Sequence, residues 1–195
     1  MLIVVRHGRT AANAAGLLLG RLDPPLDDTG LAQASAIATS LAVTGRPAKV
    51  IASPLTRTRE TAAPIAEAFG VPVEHDERWI ELDYGALDGT PLAEVPAELW
   101  ESLRSDPDFA FPGGESLRAL GVRVRDACDE AATIAASEDV VVVTHVSPVK
   151  AALVWALGVD DAVTWRTYVA PGSVTRIDCR PTGPILLSFN TVPGT

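Results

Sequence analysis

The residues most suited to chemistry cluster at strand-like ends. Arg6-His7-Gly8-Arg9-Thr10, with Asn13 close behind, follows the short apolar run Leu2-Ile-Val-Val5. Ser53-Pro-Leu-Thr-Arg57 follows a second apolar run, and Thr144-His145-Val-Ser147 follows a third. Guanidinium forks match phosphoryl oxygens in pairs, helix N-termini add oriented N–H donors, and a neutral imidazole supplies a nucleophilic nitrogen. A lone arginine at a helix start ordinarily faces solvent, and a lone histidine after a strand is ordinarily structural. The chain has three histidines, however, and two of them, His7 and His145, stand at such junctions. The third, His75, sits among Glu74, Asp76 and Glu77 and reads as a solvated surface residue. No HxxxH or HxH spacing exists and arginines flank the histidines, so no metal site is expected.

The elements that must position these groups alternate. Leu2-Ile-Val-Val5 is β-branched and suits a strand buried on both faces. Thr29 opens a helical pattern through Leu31, Ala34, Ile37, Ala38 and Leu41, stopped by Gly45 and Pro47. Lys49 to Ser53 reads as a strand, and Ser53-Pro54 as a capped start of a helix running to Phe69, kinked at Pro64. A third strand is expected over Val71 to Glu74, and the stretch from Thr90 to Pro112 reads as irregular. Leu117, Leu120, Val124, Ala127, Ala131 and Ile134 mark one face of a helix beginning at Ser116. Asp139 to Thr144 is the strongest strand, with a helix from Ser147-Pro148 to Gly158 after it. Val174 to Cys179 and Ile185 to Asn190 complete the pattern as a hairpin. These alternations predict an α/β fold, a three-layer α/β/α sandwich with a mostly parallel mixed sheet. Ligands in such sheets bind at the carboxyl ends of the strands, where all three polar junctions fall.

Composition sets the outer bounds. The chain has 195 residues, 47% of them hydrophobic, and a formal net charge of -9. One domain over residues 1–195 is expected, with a lid-like insertion at about 90–112. The acidic balance gives no general attraction for nucleic acid. No apolar run is long enough for a signal peptide or a membrane span, so a cytoplasmic location is expected. Cys128 and Cys179 have no CxxC spacing and read as buried free thiols.

Six ordered motifs together resemble the histidine phosphatase superfamily, whose branches include the cofactor-dependent phosphoglycerate mutases. Arg6-His7-Gly8-Arg9-Thr10 with Asn13 is similar to its signature. Gly20-Arg21-Leu-Asp23 with Pro25-Leu26-Asp-Asp-Thr-Gly30 resembles the next segment, and Ser53 to Ala62 the second-arginine helix. Glu81-Leu-Asp-Tyr-Gly85, Pro112-Gly-Gly-Glu115-Ser116 and Thr144-His145 complete the order. The resemblance implies a phosphoglycerate mutase-like fold, His7 as the nucleophile that becomes phosphohistidine, and Glu81 as general acid and then base. It implies that Arg6, Arg57 and His145 bind phosphoryl oxygens, that Asn13 and Arg21 line the pocket, and that neither metal nor cofactor takes part. Two positions depart from the family pattern. Val146-Ser147-Pro148 replaces a glycine-containing turn, and Arg9, read as facing solvent, replaces an acidic residue.

The implied activity is hydrolysis of a small phosphomonoester, by a monomer or homodimer. The alternatives are a phosphoglycerate mutase and, from another class, a silent phospho-ligand binding module. A mutase needs cations to hold a polyanionic substrate. Between Leu82 and Pro112 there is only Arg104, against Asp83, Asp88, Glu94, Glu98, Glu101, Asp106 and Asp108. A binding module has no use for an acid at Glu81. Trp100, Phe109 and Phe111 are expected to pack the lid onto the body, and Trp79, Trp155 and Trp165 to lie in the core or an interface.

Overall fold

The computed structural model describes residues 1–45 and 47–194. Six strands form one sheet: β1 (Leu2–Arg6), β2 (Pro47–Ala52), β3 (Val73–His75), β4 (Asp139–Thr144), β5 (Val174–Arg180) and β6 (Gly183–Thr191). Their order is β3-β2-β4-β1-β5-β6. The first four run parallel; β5 pairs antiparallel to β1, and β6 antiparallel to β5. Helices cover both faces, as the alternating pattern requires. On one face lie α2 (Asp28–Thr44) and α3 (Thr56–Phe69), burying Ile37, Leu41, Ala62 and Ile65 against Ile3, Val5, Val50 and Val143. On the other lie α5 (Leu117–Ala135) and α6 (Val146–Leu157), where Val124, Cys128, Val149 and Ala152 meet Leu2, Val4, Val140 and Val142. Strands β1 and β4 are therefore apolar at every core position, because each side chain meets a helix layer. Two short helices remain: α1 (Ala11–Ala14) and α4 (Ala97–Ser105). Among the described residues no helix is long and apolar enough to cross a membrane.

The local differences from expectation have physical causes. Helix α3 begins at Thr56 with Leu55 at its cap, a side chain with no acceptor to offer; the Ser53 hydroxyl lies before it and accepts from Leu55 N at 3.5 Å and from His145 Nε2 at 2.7 Å. Helix α6 begins at Val146 with His145 as its cap residue; Pro148 then lies within the first turn, where an N–H has no intrahelical partner to lose. Helix α3 runs through Pro64 without interruption. Strand β3 sits at Val73–His75, two residues beyond its expected start. The 90–112 stretch is more regular than its composition suggests. A 3₁₀ turn and α4 bury Val95 and Leu103, and Phe111 is packed by Trp100 and Phe109 at ring distances of 5.9 and 5.7 Å. Trp79 lies in the core, whereas Trp165 does not; it stacks under Arg104 of α4, 5.4 Å from the guanidinium carbon.

Candidate active site

The parallel strands β1, β2 and β4 deliver Arg6-His7, Ser53 and Thr144-His145 to one rim of the sheet. The His7 backbone is held from both sides: its N–H donates to Thr144 O at 2.9 Å and its carbonyl accepts from Gly172 N at 3.0 Å. The next peptide is fixed by Gly8 N–H donating to Thr61 Oγ1 of α3 at 3.0 Å. Gly8 is required by space. A Cβ there would collide with the Gly30 backbone, and one on Gly30 with that of Arg9, so the His7 loop lies flat on the first turn of α2. Arg9 reaches back to Asp27 and Thr29 at 2.8 Å, which pins the loop further.

The hydrogen bonds settle the state of both imidazoles. His7 Nδ1 lies 2.6 Å from Gly8 O. A carbonyl only accepts, so Nδ1 carries the proton and Nε2 keeps its lone pair. Burial holds His7 well below its ordinary pKa, and the charges of Arg6 and Arg57 act in the same direction. His145 packs edge-on to His7 with ring centroids 5.1 Å apart. Its Nδ1 accepts from Arg57 Nε at 3.2 Å, so Nε2 bears the proton and donates to Ser53 Oγ at 2.7 Å. Burial, followed by the Arg57 charge, keeps this ring neutral too.

Arg57 is fully buried. Its Nη atoms donate to Leu22 O and Gly20 O at 2.7 Å each. Asp88 in turn accepts the N–H groups of Gly20, Arg21 and Leu22 at 2.7 Å, holding that loop against the guanidinium. Arg6 is arranged differently. Its Nη1 donates to Val169 O at 2.6 Å, while its buried Nε has no partner. Burial pulls its pKa down to about 10, against the raising influence of Glu81. The guanidinium remains charged at neutral pH and has a free donor.

Glu81 is 4% exposed. Its Oε1 accepts from Leu82 N at 2.8 Å and from Ser147 N, in the first turn of α6, at 3.2 Å. A helix N-terminus therefore orients this carboxylate. Arg123 fixes the supporting segment: it donates to the carbonyls of Arg78 and Ile80 at 2.7 Å and to that of Glu81 at 3.2 Å, and pairs with Glu115.

A cavity of about 400 Å³ opens on this rim, and Arg6, His7, Asn13 and Glu81 line it. Arg57 and His145 are not on its wall; His145 packs against the His7 ring, and Arg57 bonds to His145. Arg21, expected on the wall, turns instead toward Asp83 and Glu115 at 3.9 and 3.5 Å. Those two carboxylates draw the only charge Arg21 has to offer. Asn13 does line the cavity and also closes a reciprocal cap with Thr10. Sequence reasoning missed Lys150, Ser147, Tyr84, Trp165 and Tyr168 on the wall. Only Lys150 had a usable signal, since it follows Ser147 by one helical turn.

An open, mostly parallel sheet with a neutral imidazole, a buried guanidinium whose Nε is unpaired and a buried carboxylate at its carboxyl edge defines a phosphoryl-handling class of protein. A profile of the histidine phosphatase superfamily (branch 1) matches residues 2–192, and the chain belongs to that family. It is 34% identical over 193 residues to Phosphoserine phosphatase 1 of Hydrogenobacter thermophilus, covering 97% of this chain and 91% of that one. It is 31% identical over 179 residues to the Probable phosphoglycerate mutase GpmB of Yersinia pestis, covering 90% and 83%. The structure superposes on a mycobacterial glucosyl-3-phosphoglycerate phosphatase, Rv2419c, with a TM-score of 0.84, 26% identity and coverage of 97% and 98%. The chain spans about half the length of three further mycobacterial relatives, to which it is 34% identical over 177 residues.

Proposed function

We propose that this chain hydrolyses small phosphomonoesters through a phosphohistidine on His7. The observation that carries the reading is the 2.6 Å contact of His7 Nδ1 with Gly8 O, which leaves Nε2 as a free nucleophile beside the cavity that His7 lines together with Glu81 and Arg6. In the first step Nε2 forms a bond to phosphorus as the bond to the ester oxygen breaks. Protonated Glu81 gives its proton to that oxygen, releasing a neutral alcohol. In the second step Glu81, now a carboxylate, takes a proton from water, whose oxygen displaces the imidazole. Phosphate leaves and His7 returns to its starting tautomer. Arg6 balances the charge spread over the equatorial oxygens; positioning and electrostatics supply most of the acceleration in phosphoryl transfer. Arg57, by its charge, and neutral His145, by its ring N–H, complete the phosphoryl-binding group beside His7. Asn13 faces the same space.

The relatives named as a phosphoserine phosphatase and a glucosyl-3-phosphoglycerate phosphatase support hydrolysis of phosphorylated metabolites, and a cytoplasmic enzyme fits such substrates. The likeness to a probable phosphoglycerate mutase keeps isomerisation as the second reading. Against it stands the 83–111 segment, whose one cation, Arg104, is engaged by Trp165 and Glu101. The test is hydrolysis of 4-nitrophenyl phosphate by wild type, His7→Ala and Glu81→Ala, with and without a chelator. Wild type turns over in chelator and His7→Ala does not. Equal rates for the two would overturn the mechanism, and loss of wild-type activity in chelator would replace it with a metal-dependent one.

A further inference from the structure

Lys150 is a half-buried cation without an anionic partner. Its Nζ donates to Thr164 O at 2.7 Å, and no ion pair to it exists among the described residues of a chain in which acids outnumber bases 25 to 16. An ammonium has three N–H donors, so this contact leaves it with donors to spare. It lines the same cavity as His7, where Arg6 is the other basic side chain. Burial lowers its pKa, and Glu81 opposes that shift.

Helix α6 sets the direction. His145 caps it behind the nucleophile, Ser147 N–H holds the Glu81 carboxylate, and Lys150 follows three residues on, about 4.5 Å further along the axis on the same face. Glu81 marks the ester oxygen that leaves. Lys150 lines the same cavity as Glu81 and interacts with its charge, which brings the ammonium within reach of the leaving group. The surrounding wall is apolar: Leu92, Trp100, Leu103 and Trp165. A charge in such surroundings interacts strongly with an opposite charge and poorly with nothing.

We infer that Lys150 selects phosphomonoesters whose leaving group bears a carboxylate, held against the Leu92–Trp100–Trp165 wall. The inference rests on the hydrolase reading above and names its substrate class. One fixed ammonium holds a single carboxylate; it does not supply the multiple cations that a bisphosphorylated substrate needs.

The experiment compares kcat/KM for 4-carboxyphenyl phosphate and its neutral counterpart, 4-carbamoylphenyl phosphate, in wild type, Lys150→Met and Lys150→Arg. The ratio is taken within each protein, so a loss of folded enzyme cancels. The expected ratio in wild type is about tenfold or more in favour of the carboxylate, the scale of one charge-assisted hydrogen bond. It falls to about one in Lys150→Met and is partly restored in Lys150→Arg. A wild-type ratio near one, or an unchanged ratio in Lys150→Met, overturns the assignment while leaving His7-dependent hydrolysis intact. Absence of His7-dependent hydrolysis of both esters overturns the catalytic reading and this one with it.

Discussion

At the scale of single residues, the site depends on which protons are already placed. Gly8 O accepts from His7 Nδ1–H, and Arg57 Nε forces the Nε2–H tautomer on His145. Neither assignment is legible in the sequence, since each depends on a backbone carbonyl or a partner far along the chain. Arg6 and His7 stand out by type and context, whereas Glu81 follows only from the family resemblance; all three line one cavity. Arg57 and His145 also bond protein groups, Arg57 to Leu22 O and Gly20 O and His145 to Ser53 Oγ, which fixes both beside the His7 ring. Arg6 differs because its Nε is buried and unpaired. Arg6→Ala should lower kcat for an aryl phosphate by about 10²–10³, as loss of one preorganised donor does, with circular dichroism unchanged. A fall of less than threefold would remove Arg6 from the phosphoryl site.

At the scale of elements, helix starts do double duty. The sequence reading gave Ser53 to the α3 cap by local rules, yet its hydroxyl serves His145, 92 residues away. Local propensity says nothing about such a long-range competitor. The same limit hid α4, whose single buried leucine, Leu103, and proline-rich flanks give too little periodicity to read. Helix α3 also anchors the His7 loop, through Thr61 Oγ1 and Gly8 N–H. Thr61→Val keeps the shape and leaves that buried N–H unpaired. It should cost about 1–3 kcal/mol in urea denaturation and lower kcat more than it raises KM. Wild-type stability together with wild-type kcat would show that the loop needs no such anchor.

For the whole molecule, the parallel strands place their polar junctions at one rim, and alternating apolar runs were sufficient to foresee this. The histidines there are buried neutral, which ties stability to pH. A folded pKa below the unfolded value of about 6.5 means the unfolded chain binds more protons, so stability is full above that pH and is lost as the pH falls through it. Each such histidine contributes a slope of up to about 1.4 kcal/mol per pH unit below 6.5. Thermal melts between pH 7.5 and 5 should show a falling midpoint, less steep in His145→Gln. Parallel curves for the two proteins would mean that His145 is not the group being protonated.

The central claim is covalent capture of phosphorus by His7, and trapping the adduct tests it most directly. Glu81→Gln lacks the base for the second step, while 4-nitrophenolate leaves without needing an acid. Mixing this variant with 4-nitrophenyl phosphate, quenching in alkali and mapping peptides by mass should find one phosphoryl group on the peptide containing His7. A burst of nitrophenol with the phosphoryl group on another residue, or on none, would contradict the account.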